Sequence, residues 1–386
     1  MRSTWLILPL ITLLVWPKSA AAQNPTVADP AVKTPLAANA AIQYWQAFAQ
    51  MQSLDKDQLS LLEQWQTVSA DDPAVQKLLT AGQSSLLYLQ RGSRLPQCDW
   101  GLEYGDGIGM LLPHLAKARD LARLSALHGR VEFERGNRSA LSDDAKAIMM
   151  LARHVGRDPT MICVLVRYGI EGAAVDLVAP HVGEIKVPAA EVAKMFESLP
   201  PAAEVLSTID VEKKYFCVWI VKKLREEEQR QPGAGLKLWR NFLDGSEIPE
   251  DLRKIASVPD AIDLVEKLLP VYDDLARYVA LPREKFEADY PAFKEKTKAA
   301  NALAGVVLPA VDQLLAKERR HQVRMAMLIA AIAVAQGGPD KLKDSKDPFG
   351  DGPFAYRPLD RGFELQSKLI FEGQPVTLKA GQAGKK

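Results

Sequence analysis

The chain has 386 residues, 47% of them hydrophobic and 25% charged, a globular composition long enough for a large core or two or three packed units. Lysine and arginine number 49 against 48 aspartates and glutamates, a net charge of +1 with histidine neutral. That balance argues against a nucleic acid or an anionic membrane surface as the main partner.

The first residues predict export. Arg2 supplies a short positive start, Leu6–Trp16 an apolar run interrupted by Pro9, and Ser19-Ala20-Ala21-Ala22 the small residues of an A-x-A cleavage site. The run is shorter than the roughly 20 residues that span a bilayer as a helix. The expectation is a signal peptide over residues 1–22, cut after Ala22, and a periplasmic or secreted mature protein. No cysteine follows the run closely, which argues against a lipid anchor. The three cysteines are Cys98, Cys163 and Cys217. An odd count permits at most one internal bridge, and which two would form it stays open. Cys163 and Cys217 sit in apolar helical stretches and read as small core residues.

Residues 23–40 are rich in Pro, Ala and Thr and read as a flexible linker. From Ile42 the spacing turns helical, with Tyr44, Trp45, Phe48 and Met51 in a first helix. Leu59, Leu61, Leu62 and Trp65 follow in a second helix, capped by Asp55 or Asp57. Asp72-Pro73 starts a third, ending near Arg91-Gly92. Leu95–Gly109 is irregular: a loop of aromatic and acidic groups, which is also the joint between helices. A long helix follows from Pro113 to about Arg135, stopped by Gly136-Asn137. Ser142-Asp143-Asp144 opens the next, whose stripe Ala145, Ile148, Met149, Ala152 and Val155 marks one buried face. Asp158-Pro159 opens another, to about Ala179, and Pro188 one more.

A long helix is expected from about Ala202 to Arg230, its terminal charge run a solvated end. Pro232-Gly233-Ala234-Gly235 is the expected internal boundary. Helices resume at Pro259, at Pro282, and from about Pro291 to Gln336, with kinks at Gly305 and Pro309. Ala326–Ala335 is apolar yet too short to cross a membrane. Phe354–Arg357 and Gly362–Gln366 alternate as a β-hairpin, with a further strand possible over Phe371–Leu378. The fold class is therefore mainly α, a helical bundle or α-solenoid of helical hairpins with a small C-terminal β-hairpin. Its expected parts are a helical unit over 41–231, a second over 232–343, a hairpin segment over 344–378, and a disordered basic tail over 379–386.

The runs Pro96-Gln97-Cys98-Asp99-Trp100-Gly101, Leu112-Pro113-His114-Leu115, Leu121-Ala122-Arg123 and Leu151-Ala152-Arg153-His154, with Asp347-Pro348-Phe349 and Tyr356, resemble a family of exported planctomycete proteins of unknown function. The resemblance covers roughly residues 95 to 370 and implies export and a helical body; it brings no activity. The tail also resembles the closing DP-[FW]-G-x-P-x-x-Y stretch of type II secretion pseudopilins, which implies a β-hairpin packed on a long helix. The N-terminal pilin helix of those proteins has no counterpart here.

The chain has no H-E-x-x-H, no P-loop and no G-x-S-x-G, and Gly105–Gly109 lacks the preceding strand of a nucleotide loop. The candidate binding residues are Asp99, Trp100, Glu103, Tyr104 and Asp106 on the irregular loop, with His114, His128 and Glu132 on one face of the following helix. A His and a Glu four residues apart share a metal or a proton only with help, and no third ligand stands out. Glu318-x-x-His321 has di-iron spacing, but a single such motif is insufficient. Asp143-Asp144 and Asp273-Asp274 read as helix-start and solvent residues, and His154 beside Arg153 and Arg157 as compensation of a helix C-terminus. No metal and no other cofactor is called for.

The expected function is an exported scaffold that binds a protein or peptide partner of the cell envelope in a helical groove. No nucleic acid and no stable membrane span enter it. The alternatives are a hydrolase or metal-dependent enzyme built on the 98–106 loop and the His114/His128/Glu132 face, and a component of an envelope secretion or pseudopilus system.

Overall fold

Helix starts follow the caps. The computed structural model describes residues 38–51, 53–243 and 249–381, so the expected leader and residues 23–37 of the expected linker lie outside the described residues. Asn39 and Ala40, expected in that linker, already belong to the fold. The Asn39 side chain accepts from the N–H of Ala41 and caps α1 (Ala40–Gln50). Asp55 and Gln58 close a reciprocal capping box on α2 (Lys56–Glu63). Asp72 with Pro73 opens α3 (Pro73–Gly92). Next come α4 (His114–Glu134), α5 (Arg138–Val155) and α6 (Met161–Val178), the last capped by Thr160.

One start differs from expectation. Ser142-Asp143-Asp144 does not open α5; the helix begins at Arg138, a turn earlier. Gly136, at φ +98°, reverses the chain within two residues, so the helix resumes at once. That places Asp144 in the body of a helix, where it turns inward.

The chain forms two compact units, and their limits are not at Pro232–Gly235. The larger comprises residues 38–215 and 309–381, the smaller residues 216–308. In the larger unit α4, α5 and α6 pack successively as helical hairpins, and α1 lies on α3. The whole predicted α5 stripe is buried, from Ala145 to Val155. After α6 come a 3-10 turn (Ala179–Glu184), α7 (Ala189–Glu197) and α8 (Val205–Glu212). The expected long helix to Arg230 is interrupted by a π-helical segment, Lys213–Val218, before α9 (Trp219–Arg230).

A second core of the larger unit lies under its C-terminal sheet. Met327, Leu328, Ala331, Ile332 and Val334 of α15 (Ala304–Gly337) pack with Phe363, Leu365, Val376 and Leu378. The sheet has three antiparallel strands in sequence order, β1 (Ala355–Pro358), β2 (Phe363–Phe371) and β3 (Gln374–Ala380). Phe371 therefore ends β2 rather than starting the third strand. Glu372 and Gly373, both at positive φ, make the two-residue hairpin turn. Lys379 and Ala380, expected in a frayed tail, are paired in β3. Ala380 is buried, and the Gly381 N–H donates to the Ala179 carbonyl at 2.9 Å.

The smaller unit holds α9, α10 (Ala234–Phe242), α11 (Glu250–Arg253), α12 (Val258–Glu266), α13 (Leu269–Val279) and α14 (Arg283–Ala300). Its core centres on Trp239, Leu252, Tyr272 and Leu275. Pro232–Gly235 is its tight α9–α10 turn. The Glu228 carboxylate accepts from the N–H groups of Gly233 and Gly235 there, and a side chain on Gly235 would stand 2.8 Å from the Leu224 carbonyl. The expected single helix from Pro291 to Gln336 is two. Asn301 ends α14, its side-chain N–H donating to the Leu264 carbonyl and its Oδ1 accepting from the Leu303 N–H. Among the described residues no helix is long and apolar enough to cross a membrane. Cys98, Cys163 and Cys217 are all buried, and none of them forms a disulfide among the described residues.

The Asp347-Pro348-Phe349 signature has a structural account. Asp347 is buried, and its carboxylate accepts from the Ser367 hydroxyl at 2.8 Å, the Lys368 N–H at 2.7 Å and the Phe349 N–H at 3.0 Å. It staples the turn to β2. Asp347→Ala is expected to cost about 2–4 kcal/mol by stranding those donors. The loss is read from denaturant unfolding, with faster hydrogen exchange at Ser367–Leu369.

Candidate functional site

The 98–106 loop is pinned by the buried Cys98 and Trp100, with Asp99, Glu103 and Asp106 left exposed. Asn39 brackets Asp99, its Oδ1 accepting from the Asp99 N–H at 2.8 Å and its Nδ2 donating to the Asp99 carbonyl at 2.9 Å. The Asp99 carboxylate accepts from the Gly101 N–H at 2.9 Å. Trp100 is buried, donates Nε1–H to the His154 carbonyl at 3.0 Å, and stacks on His114 with ring centroids 4.4 Å apart. Tyr44 shares a 2.7 Å hydrogen bond with His154 Nδ1 beside them. His114 is fully buried and, among the described residues, neither ring nitrogen has a hydrogen-bond partner; burial pushes its pKa down to about 4. Tyr104 donates its hydroxyl to Asp158 at 2.8 Å, while Glu103 and Asp106 are exposed. Glu132 pairs with Arg135 at 3.5 Å.

Of the eight candidates, the structure brings no catalytic or metal-binding set together. His114 and His128 share α4 but stand about 21 Å apart along its axis, four turns away. Among the described residues no group of three or more His, Cys, Asp or Glu could hold a metal ion.

His128, one of the eight, lines a large cavity. A cleft of about 950 Å³ opens among α3, the α4–α5 hairpin and the Met195–Pro200 segment, with Gln90, Arg94, His128, Asp143, Asp144 and Lys146 as its main polar groups. Leu87, Met150, Met195, Phe196 and Leu199 form an apolar wall. Asp144 is the buried member, 2% exposed. One carboxylate oxygen accepts from the Ser125 hydroxyl at 2.7 Å, and the other lies 2.6 Å from His128 Nδ1. Gln90 Nε2 approaches at 3.4 Å. Gly129 makes the approach possible, because a Cβ there would stand 3.0 Å from that of Asp144.

A carboxylate facing Nδ1 requires the hydrogen on that nitrogen, so Nε2 is the nitrogen left for a ligand or a proton. The Asp144 hydrogen bond raises the His128 pKa above the usual histidine value, burial opposing it. Ser125 is fully buried and donates to Asp144, so it is a support and not a nucleophile.

Sequence reasoning missed Asp144 by reading it as a helix-start acid. The signal was there: Ala140, Asp144, Ala147 and Leu151 follow i, i+4, i+7, i+11, and all four are buried. A second missed cluster surrounds Glu171, which is fully buried. His321 Nε2 stands 2.7 Å from its carboxylate, Arg153 3.1 Å and Arg167 3.9 Å. Burial would raise the Glu171 pKa, but these three partners more than offset it and hold it below the ordinary value. Glu318, grouped with His321 by spacing, instead accepts from the Tyr168 hydroxyl at 3.0 Å. The cluster joins α5, α6 and α15.

Comparison with protein-family models, with curated proteins and with solved structures returns no match for this chain. The reading of the site therefore rests on its own geometry.

Two outcomes follow from these charges. Asp144→Asn is expected to bring the His128 titration down toward the ordinary value, visible as a shift of its ring resonances in an NMR pH series. Stability is expected to fall as pH drops from about 6.5 toward 4. His114, His154 and His181 all have pKa values pushed down to about 4 by burial, so protons bind the unfolded chain first. His128 has the opposite sign. Its raised pKa contributes stability that is full below about 6.5 and lost as pH rises through its folded value, so it adds a constant across the window of the decline and leaves the slope to the other three. His114→Phe, which keeps the ring stack and removes an unpartnered imidazole, is expected to flatten that decline in thermal unfolding measured from pH 7 to pH 4.5.

Proposed function

We propose that this chain is an exported helical binding protein that takes a peptide segment of an envelope partner into the cleft beside α3, α4 and α5. The observation that carries the reading is the combination in one concavity of an apolar wall with a few oriented polar groups, the composition of ligand sites generally. Leu87 is 51% exposed there, an apolar group held out toward the opening. Export is supported by the leader-like pattern of residues 1–22, and the stacked helical hairpins of the body supply the groove.

A second reading is favoured by one observation, the His128–Asp144 pair in the same cleft. Such a dyad serves general acid–base catalysis when a substrate proton comes within reach of Nε2. The buried Ser125 removes the simplest nucleophilic mechanism, leaving an activated water as the attacking group.

Peptide arrays probed with the full mature protein separate the readings. Retention of the protein by a subset of peptides, with at least about a tenfold loss in Leu87→Glu, is the expected result; Leu87 is exposed enough for that change to leave folding intact. Equal retention of the variant, or no retention at all, overturns the cleft as the binding site. Cleavage of bound peptides by the wild type but not by His128→Gln would transfer the assignment to the enzyme reading.

A further inference from the structure

The polar groups of the cleft are unevenly satisfied, and the imbalance has a sign. The charge of Asp144 is taken up by His128, Ser125 and Gln90. Asp143 is exposed and lines the cleft as its one remaining carboxylate. Against it stand two exposed cations, Arg94 just past the end of α3 and Lys146 on α5, and among the described residues neither forms an ion pair. Two exposed cations against one exposed carboxylate, in a concavity whose buried acid is already hydrogen-bonded within the protein, favour an anionic group on the occupant. The adjoining Met195, Phe196 and Leu199 favour an apolar group next to it.

A polypeptide end joins both features within one residue, a carboxylate beside a side chain. Capture of a terminal carboxylate together with an apolar last residue is an economical use of such a site. The polar groups Gln90, Ser139 and Ser198 around the cleft are suited to the amide groups that precede it. Resting on the cleft as the binding site, we infer that its occupant is the carboxyl-terminal end of a polypeptide with an apolar last residue, its carboxylate recognised by Arg94 and Lys146 and its side chain by Met195, Phe196 and Leu199.

Fluorescence polarisation of the full mature protein tests this with N-terminally labelled hexapeptides ending in Leu or Phe, each as free acid and as amide, and with dodecanoate as competitor. The free acids are expected to bind about tenfold tighter than the amides, the scale of a charge-assisted contact. Arg94→Gln with Lys146→Gln is expected to abolish that preference, and added salt to narrow it. Equal binding of acids and amides, lost in Leu87→Glu, overturns the carboxylate assignment and leaves the cleft standing. Binding of dodecanoate without binding of any peptide overturns the polypeptide end in favour of a lipid carboxylate. Binding of no probe overturns both the inference and the cleft on which it rests.

Discussion

A carboxylate taken out of water must be met by donors, and the Asp144 carboxylate organises the architecture around the cleft. It lies on the buried face of α5, where an unpaired charge would cost far more than a packed methyl group contributes. The donors come from two neighbouring helices: Ser125 and His128 from α4, one turn apart, and Gln90 from α3. Satisfying the acid therefore fixes how α4 meets α5, and Gly129 supplies the space in which they meet. The same contact decides which nitrogen of His128 is free. Stability and the chemistry of the cleft thus rest on one ionised group.

The larger unit uses this device repeatedly. Glu171 is surrounded by His321, Arg153 and Arg167, and Arg324 pairs with Asp176, so α15 is held to α6 by charge as well as by its apolar face. Asp347 is surrounded by a hydroxyl and two backbone N–H groups and holds the final turn to β2. Apolar burial supplies most of the driving force but is indifferent to register. A buried acid with several donors accepts one arrangement only, and two such acids, Asp144 and Asp347, sit at different junctions of the same unit, with the ion-paired Glu171 at a third. Truncating any one leaves its donors stranded, so each junction resists partial loosening.

The helices were legible from the sequence because their signals are local. Caps at Asp55 and Asp72, the proline of the α3 first turn and the i, i+3, i+4 stripe of α5 act over one or two turns, and the folded chain uses them as read, whereas α6 is capped by Thr160 rather than opened by Asp158-Pro159. The alternation around Phe363–Gln366 likewise marked the sheet, although the turn at Glu372-Gly373 and the pairing of Ala380 depend on a strand partner and a carbonyl from Ala179. What was not legible is long-range. The smaller unit interrupts the larger in the chain, and no composition shift marks Tyr215 or Leu308 as a limit. Asp143 and Asp144 are neighbours in sequence and opposites in environment, because about 100° of helical rotation puts one in solvent and the other in the core.

The candidate site moved for a related reason. Aromatic and acidic residues on a glycine-rich loop look functional in sequence, since loops carry binding groups. In the folded chain that loop spends its polar groups on structure: Asn39 takes both backbone groups of Asp99, the Trp100 indole donates to His154, and Tyr104 donates to Asp158. A group whose bonding capacity is filled within the protein has little left to offer a ligand. The distinguishing property of a site is therefore the surplus, a charge or lone pair that the fold orients but does not use. In this protein such groups include His128, Arg94 and Lys146, which line the cleft beside α3, α4 and α5.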